Sequence, residues 1–197
     1  MAAAKWKIAA LFATMILFVM ISYFVIDIPV AIFCKSLDKS VTGLFEVITP
    51  LGVSTWYLAG SFILFLLFKH YRRRVYANQA FFLFASIAVS GIVAAILKWI
   101  MGRFRPKVFF ESDLYGFNFF TTIHEETSFP SGHSATAFSF ALVLALFFPR
   151  YRLLLFCFAL LVSASRVIIT SHYLSDAVGG AFVGLMTVFL LRKGFSW

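Results

Sequence analysis

Charged residues are scarce in this sequence, and their scarcity excludes an ordinary soluble protein. Only 13% of the 197 residues are Asp, Glu, Lys or Arg, whereas 62% are hydrophobic. Soluble domains contain only about 45–50% apolar residues. The charged residues separate apolar segments of about 17–20 residues, each long enough to cross a hydrocarbon core of about 30 Å as a helix. The composition therefore predicts an integral membrane protein.

Cysteine is almost absent, which argues against stabilisation by disulfide bonds or by a cysteine-bound zinc ion. The chain contains only Cys34 and Cys157. Cys157 falls inside a predicted membrane span and Cys34 in a predicted loop, so we expect no disulfide bond between them. No two cysteines have the close spacing of a zinc site either.

Six apolar segments predict an all-α fold, a bundle of six transmembrane helices that forms a single domain over residues 1–197. The first segment is too long for a signal peptide and lacks a small-residue cleavage site, so we interpret it as an uncleaved span. We expect it to end at Asp27-Ile28-Pro29, before a loop over 27–50 with a short interfacial helix at 41–48. A second polar stretch covers 102–129. The predicted spans are 8–26, 50–68, 79–97, 130–148, 153–170 and 173–191.

Acidic residues are missing from one predicted side of the membrane, and this absence indicates the orientation. That side carries ten basic residues, a pattern typical of the cytoplasmic face. The other side carries the remaining seven basic residues and all eight acidic ones. We therefore expect a multi-pass protein of the plasma membrane, the inner membrane in a bacterium, with both termini in the cytoplasm. The net charge of +9 follows from this asymmetry and does not indicate a nucleic-acid partner. The ten basic residues are Lys5, Lys7, Lys69, Arg72, Arg73, Arg74, Arg150, Arg152, Arg192 and Lys193.

Ionisable residues interrupt the apolar sequence between the last two spans, within residues 165–176. Such groups are rare at membrane depth unless they serve a site. His172 and Asp176 are four residues apart, a helical spacing that lets the carboxylate bond an imidazole N–H. The same pair could form half of a metal site, but its neighbour Arg166 is a cation rather than a ligand.

Two further polar sets are predicted on the same membrane face. Lys98 and Arg105 are seven residues apart and return to nearly one helical face, although each could instead be an interface anchor whose charged end reaches water. Ser131 can cap the fourth span, Gly132 allows a ligand to approach closely, and the free N–H groups there attract anions. With His133, the three sets supply three cations, backbone donors, two histidines and a carboxylate, which together suit a phosphate group.

These residues resemble the three-part signature of the type 2 phosphatidic acid phosphatase superfamily. The six spans, with the motifs on the outer side, are also similar to the membrane members of that family. The superfamily includes soluble vanadium haloperoxidases as well, a branch that the apolar spans argue against. The matching residues are Lys98-(six residues)-Arg105-Pro106, Pro130-Ser131-Gly132-His133 and Ser165-Arg166-(five residues)-His172-(three residues)-Asp176.

The resemblance implies a mechanism that uses no metal and no other cofactor. His172 would attack phosphorus to form a phosphohistidine, while Asp176 orients the ring and stabilises its positive charge. His133 would protonate the leaving oxygen and then take a proton from the attacking water. The phosphate would be bound by Lys98, Arg105, Arg166 and the backbone N–H groups near Ser131 and Gly132.

The resemblance also implies a lipid phosphate substrate, and the charge asymmetry predicts that the site lies at the periplasmic or extracellular face of the membrane. Candidates are phosphatidylglycerophosphate, undecaprenyl diphosphate, phosphatidic acid and the phosphate of lipid A. Arg103 and Lys107 lie outside the signature, and we interpret them as interface or headgroup contacts. The polar residues just before the second motif are interpreted as a solvated loop, and no obligatory protein partner is evident. These residues are His124, Glu125 and Glu126.

Two other functions stay open from the sequence. A phosphotransferase would use the same intermediate but pass the phosphate to a second lipid or sugar in place of water. A lipid-phosphate binder or transporter would use the cations alone, without needing His172 or Asp176. The presence of both histidines and the carboxylate favours the phosphatase.

Overall fold

The chain is helical over most of its length. The computed structural model describes residues 2–195 without the side chains of residues 2–5, 7–9 and 11, so the side chains of Lys5 and Lys7 lie outside the described part. The observed architecture confirms the predicted all-α fold. The α-helices are α1 (Ala2–Ile21), α2 (Asp27–Lys35), α3 (Lys39–Ile48), α4 (Ser54–His70), α5 (Arg74–Met101), α6 (Pro106–Ser112), α7 (Gly132–Phe147), α8 (Arg152–Ile168) and α9 (Leu174–Leu191).

Five helical stretches of the described residues are long and apolar enough to cross a membrane, and α7 is a shorter apolar helix. These six hydrophobic elements agree with the predicted six-span bundle, and the chain is a multi-pass membrane protein. Some spans exceed their predicted bounds; α5, for example, extends beyond the expected 79–97 at both ends. The five stretches are Phe12–Lys35, Lys39–His70, Arg74–Met101, Pro149–Ile168 and Leu174–Gly194.

The short helix α7 packs against α5, α8 and α9. Small residues let membrane helices approach one another closely. A Cβ atom added at Gly180 of α9 would lie 2.2 Å from the carbonyl oxygen of Ser131, and one added at Gly184 would lie 2.4 Å from that of Ala135. Glycine at these two positions therefore allows α9 to lie directly against the first turns of α7, where the predicted phosphate site begins.

The first span does not end at Asp27, so that prediction was wrong. A π-helical turn, Ser22–Ile26, connects α1 to α2, and the helix continues to Lys35. Pro29 lies in the first turn of α2, a position that proline tolerates. Asp27 is fully buried and hydrogen-bonded, rather than exposed at a boundary with water. The short helix expected at 41–48 is present as α3, which begins two residues earlier.

The polar stretch 102–129 folds back over the end of α5. Gly102 ends that helix with a φ of +55°, and a Cβ atom there would lie 1.8 Å from the carbonyl oxygen of Asn118. Asn118 donates its backbone N–H to the carbonyl of Gly102 at 2.6 Å, and Ser128 donates to that of Arg103 at 2.8 Å. These hydrogen bonds turn Arg103 toward the interior and place Ser128 beside it.

Candidate active site

The start of α7 forms one wall of the candidate site. Ser131 is the N-cap residue, and its Oγ accepts the backbone N–H of Ser134 at 3.4 Å. Its own N–H donates to the carbonyl of Asp176 at 2.9 Å, which joins the beginning of α7 to that of α9. A Cβ atom at Gly132 would meet nothing within 4 Å. Space is therefore open beside this backbone, where the sequence predicts that a ligand approaches.

His133 is held by a turn that the sequence analysis missed. The 3₁₀ turn Thr49–Gly52 lies between α3 and α4. A Cβ atom at Gly52 would lie 2.6 Å from Cδ2 of His133 and 2.8 Å from its Cβ. Thr49, in the same turn, accepts a hydrogen bond of 2.6 Å from Nη1 of Arg166. One turn therefore supports two of the predicted site residues.

His172 and Asp176 are neighbours, as predicted, but His172 precedes α9 rather than lying on it. Nδ1 of His172 is 3.6 Å from Oδ2 of Asp176. Ser128 bridges them: its hydroxyl donates to Oδ2 of Asp176 at 2.5 Å and lies 3.3 Å from Nδ1 of His172. Because the hydroxyl proton points to the carboxylate, its oxygen can accept an Nδ1–H. On this geometry the ring proton is assigned to Nδ1, which leaves the lone pair on Nε2.

The imidazole of His172 is buried, with 3% of its surface exposed. Burial lowers the pKa of His172 well below its usual value of 6.5, and the charges of Lys98 and Arg105 act in the same direction, whereas contact with Asp176 opposes them. Removing the imidazolium from water costs more than the carboxylate returns. His172 is therefore neutral at pH 7, the state that a nucleophilic imidazole requires.

The three predicted cations lie around the two histidines: Lys98 and Arg105 near His172, and both of these with Arg166 near His133. Lys98 donates from Nζ to the carbonyl of Thr127 at 2.6 Å, and Arg105 donates from Nη1 to the carbonyl of Ser171 at 3.2 Å. Lys98, Arg105 and Arg166 are each close enough to His133 for their charges to act on its ring. Burial lowers the pKa of Arg105, but a guanidinium group keeps its charge. The structure thus brings together all of the residues that the sequence analysis assigned to phosphate binding and catalysis.

Arg103 is not an interface or headgroup contact, so that prediction was wrong. Only 1% of its surface is exposed. Its Nη1 donates to Oδ1 of Asp176 at 2.6 Å and its Nη2 to Oδ2 of Asp27 at 2.7 Å. The guanidinium carbon lies 4.5 Å from the centre of the Tyr173 ring and 4.9 Å from that of Tyr23. Burial lowers the pKa of Arg103, but the two carboxylates outweigh it and raise that pKa above its ordinary value.

Three charged or polar residues of the polar stretch, Lys107, His124 and Glu125, face water. Lys107 is exposed and lies 4.0 Å from Glu111. His124 and Glu125 are exposed, in agreement with the predicted solvated loop, while Glu126 accepts hydrogen bonds from Asn118 and Thr121. Lys107 and His124 border a cleft of about 380 Å³ that reaches Arg105 and Ser171. The cleft is lined by Lys35, Arg105, Lys107, Phe110, Glu111, His124, Glu125, Ile169, Thr170 and Ser171.

Two apolar grooves lie on the other side of the site. They measure about 230 and 330 Å³ and share Val19, Met20 and Phe129. The first also reaches Arg103 and Ser175. The site therefore lies between a polar cleft and apolar surface along α1, an arrangement suited to a molecule with a polar head and hydrocarbon chains.

Known proteins are similar to this chain in sequence and in fold. A model of the PAP2 superfamily matches residues 79–197, which include the three sets of site residues. The lipid A 1-phosphatase of Rhizobium etli is 34% identical over 191 residues, which cover 91% of this chain and 81% of that protein.

Two crystal structures have a similar fold. The structure of LpxE from Aquifex aeolicus has a TM-score of 0.66 at 22% identity, covering 88% of this chain and 98% of that one. A transmembrane PAP2 type phosphatidylglycerolphosphate phosphatase from Bacillus subtilis has a TM-score of 0.66 at 24% identity, covering 92% and 94%. The similarity thus extends beyond the motifs to most of the chain. The chain belongs to the PAP2 superfamily.

Proposed function

We propose that the protein is an integral-membrane lipid phosphatase in which His172 attacks the phosphorus atom of a lipid phosphate. One observation carries this proposal: a neutral, buried histidine, backed by a carboxylate, lies among three cations. Binding a phosphate requires the cations alone, whereas an oriented imidazole with a free Nε2 is suited to nucleophilic attack. The names of the relatives, among them a lipid A 1-phosphatase, also support a phosphatase.

In the first step, the Nε2 lone pair of His172 forms a bond to phosphorus while the bond from phosphorus to the leaving oxygen breaks. His133, protonated once the negative substrate phosphate offsets the charges of the surrounding cations, gives its proton to that oxygen, which leaves as the lipid alcohol or lipid phosphate. The Nδ1–H of His172 stays in place, and Asp176 stabilises the positive ring that develops. Lys98, Arg105 and the N–H groups at the start of α7 stabilise the negative charge on the other phosphate oxygens.

In the second step, water attacks the phosphohistidine. His133, now neutral, takes a proton from the water while the bond between phosphorus and Nε2 breaks, so that inorganic phosphate is released and both histidines return to their first states. We propose that no metal takes part, because cations already surround the phosphate position. Among the described residues, no group of three or more His, Cys, Asp or Glu side chains has a metal-binding arrangement.

The substrate that we favour is a phosphate on lipid A. The similarity to lipid A 1-phosphatases extends over most of the chain, and the polar cleft of about 380 Å³ at Arg105 and Ser171 offers room for a sugar headgroup. Lys35 and Lys107 line this cleft and can attract a further anionic group on the headgroup. The apolar grooves along α1 suit the acyl chains.

We propose that the site faces the periplasm or the cell exterior. The basic segment 69–74 ends α4 and begins α5, whereas Lys98 lies near the other end of α5. At 1.5 Å per residue, the 24 residues from Arg74 to Lys98 separate the two by about 36 Å. Since basic clusters mark the cytoplasmic side, the candidate site lies at the opposite face. Labelling intact cells with a membrane-impermeant maleimide tests this orientation: Glu111→Cys is expected to react and Arg72→Cys to be protected.

The activity is tested by phosphate release from purified protein in detergent with EDTA present. The panel contains lipid A, phosphatidylglycerophosphate, phosphatidic acid and undecaprenyl diphosphate. We expect release by the wild type, fastest from lipid A, and none by His172→Ala. The control is His70→Ala, which removes an exposed histidine at the end of α4 and is expected to keep full activity.

Each outcome has a distinct meaning. Equal release by wild type and His172→Ala would remove His172 from its proposed role. Release that EDTA abolishes would contradict the metal-free mechanism. Release that requires a second lipid as acceptor would indicate a phosphotransferase instead.

A further inference from the structure

The first membrane helix contributes a buried carboxylate to the site. Asp27 is fully buried. Its Oδ1 accepts the backbone N–H of Ser175 at 3.0 Å and the hydroxyl of Ser22 at 2.8 Å. Its Oδ2 accepts from Nη2 of Arg103 at 2.7 Å and from the hydroxyl of Ser175. An ionisable group in such a segment is costly unless it serves a site, and four donors hold Asp27 in one position.

Arg103 connects this carboxylate to the catalytic one. One terminal nitrogen binds Asp27 and the other binds Asp176 at 2.6 Å. Asp176 in turn contacts His172 and accepts the hydroxyl of Ser128. A guanidinium group is planar and rigid, so it can fix the geometry of two carboxylates at once. The chain of contacts therefore extends from Asp27 at the start of α2 to the proposed nucleophile.

The charges explain why two carboxylates are needed. When His172 becomes phosphorylated, Asp176 has to stabilise the positively charged ring. If Arg103 were its only charged partner, Arg103 would cancel the negative charge of Asp176. Asp27 offsets Arg103, and the three groups together carry a net charge of −1. Asp176 is therefore held in place by a cation without losing its electrostatic effect on His172.

The backbone of the first helix is shaped for this contact. The π-helical turn Ser22–Ile26 immediately precedes Asp27, and such turns occur often at functional sites. Ser22, the first residue of the turn, is fully buried and donates to Asp27. Tyr23, in the same turn, covers one side of the Arg103 guanidinium. The irregular turn thus supplies both a hydrogen bond and an aromatic cover to the ion pair.

We propose that Asp27 and Arg103 are positioning residues of this enzyme, which hold Asp176 in the orientation and net charge that the phosphohistidine step requires. Nothing in their contacts places either residue on the substrate phosphate. Their removal is therefore expected to lower kcat and to leave KM nearly unchanged. The inference rests on the proposed phosphatase function.

The test compares Asp27→Asn, Arg103→Gln and the double variant in phosphate release from the best lipid of the panel. Asp27→Asn keeps the shape of the side chain but changes the net charge of the three groups from −1 to 0. We expect kcat to fall about 10- to 100-fold, a loss comparable to that seen when the partner that orients a metal-binding side chain is removed. Arg103→Gln leaves two carboxylates without their cation and is expected to lose at least as much. The double variant restores a net charge of −1 and is expected to be more active than either single variant.

The matched control is Asp38→Asn. Asp38 is exposed, and its side chain makes no capping hydrogen bond at the start of α3. The Asp38→Asn substitution therefore removes one carboxylate without changing Asp27, Arg103 or Asp176. We expect kcat and KM within about twofold of the wild type, the range of an ordinary surface substitution.

A merely structural role gives a different pattern. In that case the two losses accumulate, and the double variant is the least active and the least stable of the three. That pattern, or an Asp27→Asn variant as active as Asp38→Asn, would overturn the inference. If Asp27→Asn does not fold, the double variant decides, because it restores the net charge of −1 and Asp176 keeps its hydrogen bonds from Ser128 and the backbone of Tyr173: reduced kcat with unchanged KM supports the inference, while wild-type kcat or complete loss contradicts it.

Failure of this inference can be told apart from failure of the proposed function. If the wild type releases phosphate and His172→Ala does not, the function stands, and the Asp27 variants test the positioning role alone. If neither protein releases phosphate from any lipid, the function itself fails and the positioning role fails with it.

Discussion

Gly52 offers a sharp test of the role of His133, because the substitution adds one methyl group against that ring. The Cβ atom of Gly52→Ala would lie 2.6 Å from Cδ2 of His133 and 2.8 Å from Cγ1 of Val162. Ordinary contact begins near 3.4 Å, so the ring has to move by about 0.8 Å. A misplacement of about 1 Å in a catalytic group costs about 100-fold in rate. We therefore expect kcat to fall by about two orders of magnitude.

The assay measures kcat and KM for lipid phosphate and for p-nitrophenyl phosphate. The atoms nearest to the added methyl group belong to His133 and Val162, not to the proposed phosphate-binding residues Lys98 and Arg105, so KM is expected to change little. Nitrophenolate leaves without an added proton, so a defect in the acid His133 should reduce hydrolysis of p-nitrophenyl phosphate much less than hydrolysis of the lipid. The control is Gly43→Ala on α3, where a Cβ atom meets nothing within 4 Å.

Two results would refute this reasoning. One is a Gly52→Ala variant with the same kcat on lipid as Gly43→Ala. The other is an equal loss on both substrates, which would mean that the added methyl group disturbs the site in general rather than proton transfer by His133. Thermal unfolding of the two variants separates this effect from overpacking, which costs about 1–3 kcal/mol.

Three further predictions concern the nucleophile and the cleft. Ser128→Ala removes a hydroxyl that bonds a carboxylate, an interaction of about 1.5–3 kcal/mol, so kcat should fall by roughly 10- to 100-fold at constant KM in phosphate-release assays. The acid limb that His172 contributes to the pH profile of kcat/KM should lie below pH 6.5, because burial lowers the pKa of this residue and only its neutral form attacks. Lys35→Ala, which removes a cation from the cleft beside the site, should raise KM several-fold for a headgroup with a second phosphate and leave kcat unchanged, as measured by initial rates.

Each of these predictions has a result that contradicts it. Wild-type kcat in Ser128→Ala would show that the bridge between Asp176 and His172 is dispensable. An acid limb at or above pH 6.5 that stays the same for two different substrates would indicate that His172 titrates normally. For Lys35→Ala, an equal rise in KM for substrates with and without the second phosphate would exclude a contact to that group.

The sequence predicts the spans and the motif residues because both depend on local patterns. Apolar segments of membrane length are recognisable without knowledge of their neighbours. Lys98, Ser131 and His172 belong to short motifs at the ends of such segments, and an even number of spans separates the motifs, so topology brings them to one face. The convergence observed at the starts of α7 and α9 was predictable for this reason.

The supporting contacts were not predictable, since they depend on long-range packing. Asp27 was interpreted as the end of a span because a carboxylate followed closely by proline resembles a boundary. Its actual partners, Arg103 and Ser175, are 76 and 148 positions away. A signal was nevertheless present: an ionisable residue directly after an apolar segment is a candidate site residue by default, and Asp27 satisfied that rule.

Gly52 and Ser128 illustrate a second limit. The importance of Gly52 lies in the side chain that it lacks, which matters only because His133 packs against it. Ser128 lies just before the second motif, and its hydroxyl could have been directed to any neighbour in the polar stretch. Its bond to Asp176 depends on how residues 102–129 fold back over α5, and no local pattern specifies that path.

The central claim is a covalent bond between phosphorus and His172, and trapping that bond tests it most directly. Purified protein is mixed with lipid labelled at the phosphate, quenched in alkali, and analysed for protein-bound label by peptide mass spectrometry. We predict a label on His172 that is stable in base and lost in acid, present in the wild type and absent from His172→Ala. Continued turnover with no label on the protein, or label that persists in His172→Ala, would contradict the account.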